Sequence, residues 1–505
     1  MVDTKRIMEQ LPVSAWAIDP LVGRYHKVGE ELIPYFSEYA LMEKRYWIMV
    51  SWLIYVVELV DGPIPKKKRE KLEQLRESFT PEIYNKIKKH EETTNHDVKS
   101  VELTIADLLR LMSDPDAYVF SDLDAEIVEK VIAGLLNKDE EEESFLSYIP
   151  MIHLGLTSED VNNLAYGIIW RDCIWNLIIP AEWQLIDQLA EYAVKWAEIP
   201  MLAHTHGQPA TPTTVGKEFA VFVDRLAGYF DKLRKIQITG KLNGASGNHS
   251  ALVAIYPEVN WRKASKHFVE DVVGLTWKRI STQIEPHDYN WDVLTNLDHF
   301  GSILKKLDTD LWSYISREMF SQILVKGEVG SSTMPHKVNP ITAENSEAHV
   351  KLLSGFIYGM NHGLMDSRMQ RDLSDSAMQR YSGEIFGMLL QAINQTIRIL
   401  KKIQPNSLVL AKQLDNHWSV LAEAIQTALR SVGKTNAYDE LKKLTRGHDI
   451  TEPDIKDFIC NNEALMENPE LMGRMLDLTP ATYTGYAAED AKDVAKDWFN
   501  GDYLT

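Results

Sequence analysis

Apolar positions in this chain recur with a helical period. From Val215, the residues Phe219, Phe222, Leu226, Tyr229, Leu233 and Ile236 follow in alternating steps of four and three. That is the seam of a helix lying nearly parallel to its neighbours. Thr211 and Pro212 suit its cap and first turn. Val293, Leu297, Phe300, Leu304, Leu307, Leu311 and Ile315 repeat the pattern, and no proline lies between Asp292 and Leu324. A helix of ~30 residues there would be about 45 Å long. A third seam, Phe386, Leu389, Ile393, Ile397 and Leu400, stops before Pro405. Sustained alternation of period two is absent. The pattern predicts a mostly α protein with a long helical bundle in its middle. Exposed seams of this length pair with other chains, so an oligomer is expected.

The most hydrophobic run, Tyr46 to Val60, has 15 residues and carries Glu58. It falls short of the ~20 residues that span a bilayer, so it reads as a buried or interface helix. The acidic run Asn137–Ser144 cannot be core and marks a loop near the end of an N-terminal domain. Lys66–Lys71, "KKKREK", reads as a solvated helix face, and the segment around Pro405 opens a C-terminal domain. These breaks give an N-terminal helical domain over 1–147, a central bundle over 148–403 and a C-terminal helical domain over 404–505.

Polar clusters punctuate the helices. "TTNHDVKSVE" (Thr93–Glu102) fits a helix start capped by a threonine or Asn95, with His96 exposed. "LTSEDVNN" (Leu156–Asn163) fits another, because a hydroxyl followed by acids satisfies the free N–H groups. "HTHGQPATPT" (His204–Thr213) fits a turn before the Pro212 helix. "LNGASGN" (Leu242–Asn248) has two glycines but lacks the spacing of a dinucleotide loop, and no Walker-type loop occurs. Singly, each is more readily structural than catalytic. Together they describe a site built from several elements, suited to carboxylates or phosphates. "SRMQRDLSDSAMQR" adds Arg368, Arg371 and Arg380. On one helix Arg371 and Arg380 would point in opposite directions, so both reach one ligand only if the segment begins as a loop. The most irregular stretch is Lys326–Asn345, "KGEVGSSTMPHKVNPITAEN", rich in small, hydroxyl and cationic residues.

Composition narrows the classes. A formal charge of −19, from 54 Lys+Arg against 73 Asp+Glu, disfavours broad binding to nucleic acid but permits a local cationic pocket. With only Cys173 and Cys460, no disulfide framework and no cysteine metal site can form within the chain. The N-terminal stretch lacks the apolar core of a signal peptide, so a cytoplasmic location is the default.

"GSSTMPHKVNP" (Gly330–Pro340) resembles the loop motif GSSxMPxKxNP of the fumarase/aspartase superfamily, matching over all eleven positions. His336, where fumarases carry glycine, points to the adenylosuccinate lyase family. "TTNHDVK", "TSED", "THGQPATP", "TQIEPHDY" (Thr282–Tyr289) and "QRDLSDS" (Gln370–Ser376) occur in that family's order, and the wording is nearest its longer bacterial form. The insertion between His96 and Thr157 and the tail after Tyr483 depart from the pattern.

The resemblance implies a three-domain, mostly α subunit, whose central bundle joins three others in a homotetramer with sites shared between subunits. It implies β-elimination of fumarate from adenylosuccinate, giving AMP, and from the succinyl-carboxamide ribotide SAICAR, giving AICAR, in purine biosynthesis. No metal or organic cofactor, nucleic acid or membrane partner is expected. Carried over by motif position, Ser331 is the base, His206 the acid and Glu344 its orienting carboxylate. Lys337, Asn339 and the loop N–H groups hold the charge on the carboxylate. His96 supports the acid or binds the phosphate side, with Asn95 and Asp97 beside it. Thr157, Ser158, Thr205 and Ser332 bind succinyl carboxylates and Gln283 holds the substrate. Arg24, Tyr25, Arg371, Ser376 and Arg380 take the phosphate and ribose. The rivals are another fumarate-releasing lyase, disfavoured by His336 and the arginine-rich segment, and a non-catalytic helical scaffold, disfavoured by the joint retention of Ser331, His206, Lys337 and Glu344. A nucleic-acid-binding module is disfavoured by the charge balance.

Overall fold

The computed structural model describes residues 8, 11–135, 144–323, 334, 337–445 and 450–504. The candidate residues Ser331 and Ser332 and most of the acidic run lie outside them. The chain forms two compact units: Met1–Ile179, Lys235–Thr295 and Leu353–Leu390 make the first, and Pro180–Arg234, Asn296–Leu352 and Gln391–Thr505 make the second.

In the first unit the apolar run is the heart of the helix Glu38–Val60, started by Ser37, whose Oγ accepts from the Ala40 N–H at 3.1 Å. Met42, Tyr46, Ile48, Met49, Val50, Trp52, Leu53 and Val56 are all buried, so the helix is apolar around most of its girth because protein surrounds it. Helices Asp97–Ser113 and Ser158–Cys173 pack against it. Trp52 meets the Phe268 ring edge-on at 5.3 Å. No helix among the described residues is long and apolar enough to cross a membrane.

In the second unit, Pro200–Thr205 and Gln208–Thr214 form an antiparallel hairpin, with Thr205 paired to Gln208. This corrects the expected helix start. Pro212 lies in a strand opposite Leu202, and the helix begins at Val215, with Thr214 Oγ1 accepting from the Lys217 N–H at 3.2 Å. A two-stranded ribbon has outer edges where proline's missing donor costs little. Along helix Val215–Lys235 the residues Val215, Phe219, Phe222, Leu226 and Leu233 are buried as the seam requires. The tail forms a helix, Ala487–Asn500, that buries Ala487, Ala491, Ala495 and Trp498, the last 4.6 Å from the Trp183 ring.

The other two seams become helices Asp288–Ser316 and Ser382–Leu400, of 29 and 19 residues, and a 24-residue helix that the seams did not announce, Ile341–Leu364, lies between them in the chain. Where all three run through the second unit, Thr396 Oγ1 donates to Asp308 at 2.9 Å and lies 3.0 Å from Ser346 Oγ. Burial pushes the Asp308 carboxyl up to about 8, against these hydroxyl contacts.

Candidate functional site

Four polar segments converge in the first unit. Thr157 caps helix Ser158–Cys173 through a capping box, its N–H donating to Asp160 Oδ2 at 2.9 Å. Asp160 also accepts from the Asn243 and Gly244 N–H groups at 3.0 and 3.1 Å, and pairs with Lys241 Nζ at 2.8 Å. Lys241 and Asp160 are wholly buried, so removing either partner would leave the other's charge uncompensated inside the protein. They pin the "LNGASGN" loop to the helix start. Gly247 has φ +75°, and a Cβ there would stand 2.2 Å from the Ser281 carbonyl oxygen. Its role is close backbone approach to the third segment, 281–287. Asn243 Nδ2 donates to Ser281 Oγ across the same junction at 2.8 Å.

The fourth segment carries the arginines. Residues 366–373 are not helical, and Arg371 precedes the short helix Ser374–Gln379. The loop start that the sequence argument required is present. One continuous hydrogen-bonded chain then links the two arginines. Arg380 donates to Glu38 Oε2 at 2.8 Å and to Asp97 Oδ2 at 3.0 Å. Asp97 accepts from Arg45 Nη1 at 2.8 Å, and Arg45 Nε donates to Asn162 Oδ1 at 2.9 Å. Asn162 Nδ2 donates to Glu159 Oε1 at 2.6 Å, which also accepts from Arg371 Nη2 at 2.8 Å. Arg371 Nη1 reaches Gln283 Oε1 at 3.3 Å, and Gln283 Nε2 donates to the Ala245 carbonyl at 3.0 Å. Arg371 Nε is buried without a partner among the described residues.

The charges in this chain are tuned by their setting. Burial works against the Asp97 carboxylate, but Arg45, the Val98 N–H and Arg380 outweigh it and hold its pKa below the usual range. Burial pushes Glu159 up, opposed by Arg371 and Asn162. Sequence reasoning named Asp97, Gln283, Arg371 and Arg380 but missed Arg45, Glu159, Asn162 and Lys241. Arg45 left a signal: it stands between Met42 and Met49 on the buried stripe of an apolar helix, where a lone cation requires a partner.

The remaining first-unit candidates are placed simply. Asn95 ends helix Pro81–Thr94 in the left-handed region at φ +48°. The cap of the following helix is His96, whose Nδ1 accepts from the Lys99 N–H at 3.3 Å. Ser158 opens its helix half-buried, and the Ser376 N–H donates to Asp375 Oδ1 at 2.7 Å. Arg24 is exposed and Tyr25 half-buried at the turn into helix His26–Phe36, outside the arginine chain described above.

The second unit holds the rest. His206 and Gly207 form the two-residue hairpin turn, at φ +53° and +74°, the left-handed pair that matches the twist of such ribbons. Thr205 and His206 are exposed at its tip. His204, one residue before Thr205, is pushed down by burial, Arg317 and His417. Glu344, exposed in the first turn of Ile341–Leu364, accepts from Trp312 Nε1 at 3.1 Å. Lys337 is exposed with its N–H on the Met334 carbonyl at 3.0 Å, and Asn339 is half-buried.

These placements can be set beside known proteins. A family model described as lyase matches residues 24–355, and one described as adenylosuccinate lyase C-terminal matches 367–484. The adenylosuccinate lyase of Legionella pneumophila strain Corby is 39% identical over 482 residues, covering 94% of this chain and 98% of that protein. The adenylosuccinate lyase of Escherichia coli K12 is 37% identical over 478 residues, covering 94% and 97%. The chain belongs to the adenylosuccinate lyase family. As a member it is a lyase, and its fold is the mostly α fold of that group. Solved structures agree at the level of fold. The 3-carboxy-cis,cis-muconate lactonizing enzyme of Pseudomonas putida superposes with TM-score 0.68 at 17% identity, covering 94% of this chain and 98% of that one. The fumarate lyase of Mesorhizobium sp. BNC1 gives 0.69 at 16%, covering 92% and 97%. In this adenylosuccinate lyase family member, Asp97, Glu159, Gln283 and Arg371 of the network fall within the motifs that carry the resemblance, whereas Glu38, Arg45, Asn162 and Arg380 fall outside them.

Proposed function

We propose that this protein eliminates fumarate from adenylosuccinate, giving AMP, and from SAICAR, giving AICAR. The observation that carries the reading is the near full-length similarity to adenylosuccinate lyases.

The chemistry needs a base for a weakly acidic C–H beside a carboxylate, an acid for the departing nitrogen, and fixed partners for negative charge building on that carboxylate. In our reading Ser331, activated by its surroundings, takes the proton. The C–N bond then breaks, its electron pair leaves with N6, and His206 protonates that nitrogen. Lys337, Asn339 and the loop N–H groups hold the charged carboxylate, with Thr157, Ser158, Thr205 and Ser332 on the succinyl carboxylates. Glu344 supports the His206 imidazolium. Gln283, Arg24, Tyr25, Arg371, Ser376 and Arg380 hold the nucleotide, with Asn95, His96 and Asp97 beside it. Arg371 Nε, buried and unpartnered among the described residues, supports this as a donor available to an anion. The reaction as written needs no metal or organic cofactor.

We further propose the three-domain subunit, a homotetramer with shared sites, and a cytoplasmic location. The helix Ile341–Leu364 supports the assembly. It exposes Leu352, Gly355, Phe356 and Gly359 along one side, and a Cβ at either glycine would meet nothing within 4 Å. Such a stripe lets a second helix approach closely. The test is steady-state assay on both succinyl substrates. The protein should release fumarate from each, and Ser331→Ala should lower kcat by ~10²–10⁴-fold with the fold intact. Absence of fumarate release by the wild type from adenylosuccinate overturns the reading.

A further inference from the structure

Behind the arginine network lies a buried cluster that the mechanism does not use. His287 is almost wholly buried, as are Glu285, Asn290 and Asp375. Its Nε2 faces Asp375 Oδ2 at 3.4 Å, its Nδ1 lies 3.1 Å from Asn290 Oδ1, and its N–H donates to Glu285 Oε2 at 2.7 Å. Thr239 Oγ1 holds the other Glu285 oxygen at 2.7 Å. The backbone at His287 is left-handed, φ +63°, a region uncommon for residues other than glycine, in which histidine is among the better tolerated.

The cluster joins two segments that matter to the site. His287 and Glu285 end the segment bearing Gln283, while Asp375 sits between Arg371 and Ser376. With Asp375 on its ring and Glu285 on its backbone N–H, the His287 imidazole ties the two segments best when protonated, donating from Nε2 to Asp375 and from Nδ1 to Asn290 while its charge offsets both acids. The other groups bearing on the cluster are few. Lys278 and Tyr289 act on Glu285, and Glu159 feels Asp375 from its own helix. Burial opposes the imidazolium, but Asp375 and Glu285 outweigh it and raise the His287 pKa above the ordinary value.

We propose that His287 is a positioning residue, an imidazolium clamp that holds the 281–287 segment against 371–376 and thereby sets the spacing of Gln283 and Arg371 for substrate. The inference deepens the function proposed above and rests on it. A merely space-filling histidine would lower stability when replaced but would not separate binding from turnover or change their pH dependence.

The experiment uses the full chain as wild type, His287→Gln and Asp375→Asn. Both variants should raise KM for adenylosuccinate by about tenfold, one hydrogen-bonded charge contact's worth, with kcat within about threefold. Because the clamp is the protonated form, wild-type KM should rise with pH as His287 loses its proton, and that rise should vanish in His287→Gln. Hydrogen exchange supplies an arm independent of activity: segments 281–287 and 371–376 should lose protection together in both variants. Wild-type KM in the variants, a KM rise with pH that survives in His287→Gln, or unchanged protection overturns the clamp. Should His287→Gln fail to fold, Asp375→Asn, which keeps the volume, decides by the same readouts. A wild type inactive on adenylosuccinate refutes the proposed function, while joint loss of protection would still establish the clamp.

Discussion

Glu182 is fully buried in helix Ile179–Lys195, and neither of its carboxyl oxygens has a hydrogen-bond partner among the described residues. Burial pushes its pKa well above the carboxylate range, so the folded protein holds a proton there that the unfolded chain releases. For a group raised in this way, the folded state loses ground as pH climbs from the unfolded pKa toward the folded one. Glu182→Gln removes the penalty. Its denaturant midpoint should exceed the wild type's at pH 8, and the gap should close as pH falls toward 4; a constant gap would mean the carboxyl does not titrate between the two states. Residues of this kind are poorly legible in sequence. Glu182 occupies a core position with no local mark beyond its heptad phase. Lys241 and Asp160 find each other across a long stretch of chain. His206, by contrast, was named because a family motif carries it, and it lies exposed at the hairpin turn.

Elements were read unevenly. The three long seams became helices with their apolar residues inside, because period 3.6 persists over many turns and leaves a strong signal. The hairpin before Val215 was missed. Its strands are of six and seven residues, a register shift between Leu202 and His204 breaks the alternation, and Pro209 and Pro212 look like loop residues. The turn itself predicts an order of effects. Gly207 sits at φ +74° with nothing within 4 Å of a Cβ, so replacing it strains only the backbone. A β-branched residue in the left-handed region costs roughly 1–2 kcal/mol, and asparagine less. Since His206 shares the turn, kcat should fall in the order wild type, Gly207→Asn, Gly207→Val while the global melting temperature moves little. Equal rates in all three would separate the turn's shape from catalysis.

On the scale of the whole molecule, the sequence pattern announced a bundle and the resemblance supplied a subunit plan, but the arrangement of the polar network was not legible. It depends on helix starts and loops whose partners are distant in sequence. The proposed assembly has its own test. Ser331→Ala and His206→Ala, each inactive alone, should regain partial activity after mixing under conditions that exchange subunits, because some pockets would then receive one intact copy of each residue. Verified exchange with no recovery would argue for pockets built within single chains.

The buried pairing of Asp160 with Lys241 bears on how such a protein is made. The Asn243 amide and the Asp160 carboxylate it serves are 83 positions apart, and both charged partners are sealed from water. A nascent chain that docks one segment without the other strands a bare ion in an oily interior. Half-assembled forms are therefore heavily disfavoured, and pockets should be born whole or not at all, leaving few sluggish, partly formed copies in the population.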